Sequence, residues 1–140
     1  MKVLLAVDGS VHTKRMLAYL AAHDEFLGTR CEYTVLTVVP PIPPHAARHV
    51  PSLDLKSYYQ DEAEAVLAPV KAFMAQQGWK VEFQHRKGHP AEVVASVATE
   101  GKFDLLVLGS HGHTALGNLL LGSVTTGVLA HCTTPMLVVR

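Results

Sequence analysis

The stretch with the most chemical promise is Gly109-Ser110-His111-Gly112, followed after nine residues (His113 to Leu121) by Gly122-Ser123. Two glycines there follow the apolar run Leu105-Leu106-Val107-Leu108, and the third precedes Val124-Thr125-Thr126-Gly127-Val128-Leu129-Ala130. The first segment has the character of a strand buried on both faces, the last that of a helix. Glycine permits φ > 0 and lets another molecule approach the backbone. A helix start offers unpaired N–H groups and a partial positive charge. Strand, glycine loop and helix start together favour an anion, most often phosphate. Ser123 is placed to cap that helix and to offer a hydroxyl to the same anion. A Gly-x2-Gly by itself suits a simple turn equally well. No Gly-Lys-Ser/Thr of a P-loop occurs, and the spacing is not that of a dinucleotide fingerprint.

Something must position this loop. Lys2 to Val7 forms a first predicted strand, bounded by Asp8-Gly9-Ser10. A helix with Met16, Leu17, Leu20, Ala21 and Leu27 on one face should follow and stop at Gly28. Glu32 to Val39, rich in β-branched residues, is the second strand. Pro40, Pro41, Pro43, Pro44 and Pro51 then crowd a connector that suits neither a central strand nor a helix interior. It is either a surface linker or a flap over a ligand. A long helix is expected from near Lys56 to Gln77, its stripe being Tyr59, Ala63, Val66, Val70, Phe73 and Met74, with Pro69 inside it. Trp79 to Arg86 is the third strand. Pro90 and Gly101 frame a helix with Val93, Val94 and Val97 inward. Phe103 to Leu108 and Met136 to Val139 are the fourth and fifth strands.

This alternation predicts one α/β domain, a single open parallel sheet with helices on both faces, Rossmann-like. Right-handed crossovers allow the strand order 3-2-1-4-5. The chain then reverses direction between strands 1 and 4, where ligands of such sheets bind outside the carboxyl ends. Asp8 ends strand 1 and Gly109 ends strand 4, so two distant stretches meet at one expected site. Asp8 suits a ribose hydrogen bond or a metal, and equally an Asx turn or a cap for the first helix. In that order strand 5 is an apolar edge, a hazard unless covered, which predicts a homodimer paired through Met136 to Val139.

Composition removes other classes of function. The 140 residues are 49% hydrophobic, enough to bury one core, and 12 basic residues balance 12 acidic ones. No global field favours nucleic acid or an anionic membrane. No apolar run reaches a membrane span or a secretory core, and Cys31 and Cys132 show no Cys-x-x-Cys pair. A cytoplasmic setting with two unbonded thiols is expected. The nine histidines show no ligand spacing, so no metal site made by protein alone is expected. Gly-x-Ser-x-Gly is absent and nothing marks a nucleophile or general base, so the reading leans away from an enzyme.

The glycine stretch, its continuation Leu120-Leu121-Gly122-Ser123-Val124, the opening Ala6-Val7-Asp8-Gly9-Ser10, the segment Gly88-His89-Pro90-Ala91-Glu92-Val93-Val94 and the close Thr134 to Arg140 together resemble the universal stress protein family. The resemblance covers essentially the whole chain. Gly-x2-Gly-x9-Gly-Ser resembles the branch that binds ATP. It implies an ATP-binding regulator of the stress response, with magnesium carried by the nucleotide and a regulatory protein partner that the sequence does not identify. It also implies the strand-5 homodimer. Asp8 then belongs at the nucleotide, and Val38 matches a position that meets adenine through its backbone, with Ala6 and Leu108 lining the pocket. Gly109, His111, Gly112 and His113 form the first half of the phosphate loop, and Gly122, Ser123 and Val124 the second. A slow ATPase or adenylate-transferring enzyme, or a structural dimer with an empty loop, are the alternatives. The sequence departs from the family in having His113 where a basic residue often follows the second glycine, and Gly127 within the last helix. No Asp, Glu, Lys or Arg occurs from Leu105 to Val139. Phosphate there must rest on backbone N–H groups, Ser123, the helix terminus and the two histidines.

Overall fold

The alternation of apolar runs and amphipathic stretches builds a parallel five-stranded sheet in the order β3-β2-β1-β4-β5. The computed structural model describes residues 1–113 and 120–140. The strands are β1 (Lys2–Val7), β2 (Glu32–Val39), β3 (Lys80–Lys87), β4 (Leu105–Gly109) and β5 (Met136–Val139). Between them run α1 (Val11–Ala22), α2 (Asp24–Leu27), α3 (Pro44–Ala47), α4 (Ser52–Gln77), α5 (Pro90–Glu100) and α6 (Ser123–His131). The expected fold class and strand order are therefore those observed.

The sheet sorts side chains by alternation. Val3, Leu5 and Val7 of β1 join one buried cluster with residues of α1 and α4. Leu4 and Ala6 join the other, against α5 and α6. Leu4 and Leu5 are both fully buried, on opposite faces. Burial of each contributes about 1.5–3 kcal/mol, so the central strand holds both layers together. The pairing places Ala6 level with Leu36 on one side and Leu108 on the other. These three form a continuous apolar floor just below the carboxyl end of the sheet.

The expected first helix is two helices. His23, at φ −119° and ψ 38°, ends α1, and Asp24–Leu27 makes a separate turn capped by Gly28. The break turns Asp24 towards Trp79, whose Nε1–H donates to Asp24 Oδ1 at 3.1 Å. That contact joins residues 55 apart, so local periodicity carries no trace of it. α4 starts at Ser52, earlier than expected, and runs through Pro69. Its buried residues are Ala63, Leu67, Val70 and Met74. Val66 packs against the same core cluster and also borders a cleft, whereas Tyr59, expected in the core stripe, lines a cleft instead. In α5 the buried side chains are Val94, Ala95 and Ala98, with Val97 packed at the edge of the same cluster. Val93 turns aside to lie over Gly88, where an added Cβ would meet its Cγ2 at 2.7 Å.

Gly127, a weak helix former in α6, has a packing reason. A Cβ there would lie 2.7 Å from Ala91 Cβ in α5. The missing side chain lets the two helices approach. Cys31 and Cys132 are both free.

Candidate functional site

The ends of the glycine loop are tied to the sheet and to each other. Ser110 N–H donates to Val139 O at 2.8 Å, and Gly122 N–H donates to Ser110 O at 2.7 Å. Thr125 Oγ1 donates to Gly109 O at 2.9 Å, linking α6 to the end of β4. Of the two roles open to the glycines, positive φ and close approach, the structure shows close approach. Among the described residues the positive-φ glycines are Gly9, Gly78 and Gly88, and Gly109, Gly112 and Gly122 are not among them. Instead, a Cβ on Gly109 would lie 2.6 Å from His12 Cβ, and one on Gly122 would lie 3.0 Å from His111 Cα. A Cβ on Gly112 would lie 2.7 Å from Asp8 Oδ2.

Ser123 does not cap α6. It is the first helical residue, and Gly122 at φ −72° and ψ 167° is the cap, with no side-chain hydrogen bond. The first-turn N–H groups thus lack a side-chain acceptor, and Ser123, Val124 and Thr125 border the cavity described below. Of the nine residues from His113 to Leu121, positions 114–119 lie outside the described residues.

Of the roles expected for Asp8, the structure shows the Asx turn. Its Oδ1 accepts from Ser10 N–H and from Thr13 Oγ1, each at 2.9 Å, while Thr13 Oγ1 accepts from Asp8 N–H at 3.1 Å. This is the Asx turn that leads into α1, with Ser10 as the cap of that helix. The local turn uses Oδ1, and Oδ2 is turned towards Gly112. Across the crevice, His113 Nε2–H donates to Asp8 O at 2.6 Å. The glycine loop and the exit of β1 are therefore in direct contact, although 105 positions separate them.

One cavity of about 350 Å³ opens at the carboxyl ends of β1, β2 and β4. It falls within the lower range for small-molecule sites. All eleven residues expected at the site line it. Ala6, Val38, Leu108 and Val124 give an apolar wall, and each belongs to or packs on the cluster against α5 and α6. Asp8, Gly109, His111, Gly112, His113, Gly122 and Ser123 border its polar part.

The sequence reading missed Thr13, Thr37, Glu62 and Val66 on the cavity wall. Thr13 reaches the wall through its hydroxyl bonded to Asp8, a contact that the local sequence does not signal. Glu62 and Val66 are four apart on α4, which signals one shared helix face but not what the face meets.

Electrostatically the cavity is unusual for an anion site. Its charged side chains are the carboxylates Asp8 and Glu62, and neither Lys nor Arg borders it. His111 Nδ1 lies 3.0 Å from Ser110 Oγ, and its ring centroid is 5.2 Å from that of His12. Among the described residues no group of three or more His, Cys, Asp or Glu could hold a metal ion. No described helix is long and apolar enough to cross a membrane. The arrangement suits a ligand with an apolar ring at one end and, at the other, an anion held by backbone and helix terminus.

A model of the universal stress protein family matches residues 1–140. A universal stress protein of Thermus aquaticus is 33% identical over 138 residues, covering 99% of this chain and 97% of its own length. Universal stress protein Slr1230 of Synechocystis is 28% identical over 139 residues, 99% of this chain, but this chain spans only 42% of its length. Among solved structures, protein MJ0577 of Methanocaldococcus jannaschii superposes with a TM-score of 0.82 at 28% identity, over 99% of this chain and 94% of that one. Two others share the fold at a TM-score of 0.70 and 18% identity. One, from Archaeoglobus fulgidus, is in complex with dAMP, over 100% of this chain and 98% of its own. The other, from Arabidopsis thaliana, has AMP bound, over 99% of this chain and 90% of its own.

Proposed function

This chain belongs to the universal stress protein family, and from that premise we propose that it binds an adenine nucleotide, ATP with Mg²⁺, between Asp8 and the Gly109–Ser123 loop. The observation that carries the reading is the single cavity in which an apolar wall meets an uncapped helix start. In this reading Ala6, Leu108 and the Val38 backbone hold the base. Asp8 Oδ2, left over from the Asx turn, accepts from a ribose hydroxyl. The N–H groups around Gly112, Gly122 and Ser123 receive the phosphates. With two carboxylates and no Lys or Arg at the cavity, the several negative charges of a triphosphate require a counter-cation, and magnesium supplies it. Asp8 and Glu62 are the carboxylates within the cavity wall that could help to hold it.

The same shortage of cations supports a second reading, AMP, and the AMP and dAMP bound to two structurally similar proteins favour it. Calorimetric titration with ATP, with and without Mg²⁺, and with AMP separates the two. ATP binding that depends on Mg²⁺ and exceeds AMP supports the first. AMP binding equal or tighter supports the second. No binding of either rejects both.

The proposal extends to a regulatory role in the stress response, a cytoplasmic setting and a homodimer paired through β5. β5 is an outer strand of apolar residues, and such an edge invites a copy of itself. Sedimentation at micromolar concentration tests the dimer, and a stable monomer rejects it. A slow ATPase is distinguished by phosphate release over many turnovers at excess ATP.

A further inference from the structure

A second cleft lies beside the first, at the β3 edge of the sheet. It is formed by Leu55, Lys56, Tyr59 and Gln60 of α4 and by His85, Arg86 and Lys87 at the end of β3. No carboxylate lines it. The chain as a whole carries as many acidic as basic residues, so three cations at one cleft are a local excess.

The cations there are not neutralised. Among the described residues the side-chain ion pairs are Lys71–Glu64 and Lys80–Glu32, both elsewhere. The Arg86 guanidinium donates to neutral groups only, His85 O at 3.1 Å and Gln84 Oε1 at 3.2 Å. Lys87 Nζ sits 4.7 Å from the centre of the Tyr59 ring. Tyr59 is itself fixed, because its hydroxyl accepts from Ile42 N–H at 2.9 Å in the proline-rich connector. Connector, Tyr59 and Lys87 thus form a chain of contacts that holds one ammonium in place. A guanidinium fork beside a positioned ammonium matches a phosphoryl group, with paired N–H donors for its oxygens and point charges for the remainder.

We propose that this cleft is a second phosphoryl-binding site, held by Lys56, Arg86 and Lys87 and separate from the cavity at the glycine loop. The larger cavity has backbone donors without side-chain cations, whereas this cleft has side-chain cations on a strand edge. The site stands whatever fills the larger cavity. Val39 lines both clefts. The phosphoryl group therefore belongs either to a free anion or to the far end of a ligand that also enters the larger cavity.

The test follows backbone amide shifts by NMR during titration with inorganic pyrophosphate, in wild type and in R86Q/K87Q. Both residues are exposed, so the double variant should melt like wild type. Saturating shifts at Tyr59, Arg86 and Lys87 that weaken at least tenfold in the variant are expected. The control K14Q/R30Q removes the same charge from other exposed positions and should bind like wild type. Shifts confined to Gly109–Ser123, no saturable shift, or equal weakening in the control would overturn the proposal. Diadenosine tetraphosphate then identifies the source. Tighter binding than ATP in wild type, lost in R86Q/K87Q, means one ligand reaching both clefts; equal binding means a separate anion.

Discussion

The two ends of the sheet are built for different purposes. At the amino end, Tyr33 and Trp79 stack with ring centres 5.1 Å apart, and Phe73 meets Trp79 edge-on at 6.2 Å. The Tyr33 hydroxyl donates to Leu27 O, and the indole to Asp24. Burial pushes the Tyr33 hydroxyl pKa far above its ordinary value, so the ring remains a neutral donor across the working pH range. Every polar group in that cluster has a partner, and large rings fill the space. At the carboxyl end the chain places glycines, an uncapped helix start and a cavity. Bulk fills the amino end, and side chains are withheld around the cavity at the carboxyl end.

This contrast can be broken most forcefully at Trp79, which is 7% exposed. Trp79→Ala should cost about 3–5 kcal/mol in urea unfolding, with nucleotide affinity of the folded fraction unchanged. A loss of affinity in folded protein would mean that the two ends are coupled. Gly122→Val should do the reverse. Its Cβ would meet backbone at His111, so the loop must shift. ATP affinity should fall on the order of 100-fold, about 2.7 kcal/mol, while the unfolding midpoint stays near wild type. A midpoint lowered as far as in Trp79→Ala would show that the loop is part of the stabilising core.

Gly127→Ala sharpens the same point between helices. Propensity alone favours alanine by about 1 kcal/mol. The 2.7 Å approach to Ala91 opposes it, so the variant should be no more stable than wild type. A rise in melting temperature would show that α5 and α6 can separate without cost. The smallest effect belongs to an exposed pair at the amino end, Glu32 and Lys80, 2.7 Å apart. The hydrogen bond from Lys80 holds the Glu32 carboxyl below its ordinary value. A depressed carboxylate adds stability above its unfolded pKa, and that is lost as pH falls through the lower folded value. Glu32→Gln should therefore lower the melting temperature slightly at neutral pH and not in acid where the carboxyl is protonated, a shift close to the limit of measurement. An equal shift at neutral and acid pH would assign the effect to packing.

The strand order and the meeting of Asp8 with Gly109 were legible because periodicity and parallel topology are properties of short stretches combined by one rule. Ala6, Val38 and Leu108 fell on the cavity wall because residues near strand exits must border the crevice. The break at His23 was not legible, since the contact that follows it, Asp24 with Trp79, joins residues 55 apart. Gly127 suggested a weak helix for the same reason, because Ala91 was invisible as its neighbour. The loop glycines were open to two roles. Sequence shows that a Cβ is missing, and only packing shows whether φ or proximity requires it. Tyr59 matched the helical period yet lines a cleft, because period locates a face without saying whether protein or solvent lies opposite.

The hydrogen bond from Gly122 to Ser110 has a consequence for how such a protein diversifies. It closes the base of an excursion whose two ends stay fixed to β4 and α6. Doubling the length of a flexible closed segment costs only about 0.6 kcal/mol. Under the proposed function, changes in the sequence between these two points would alter what the loop holds at small cost to the sheet and α6 that anchor it.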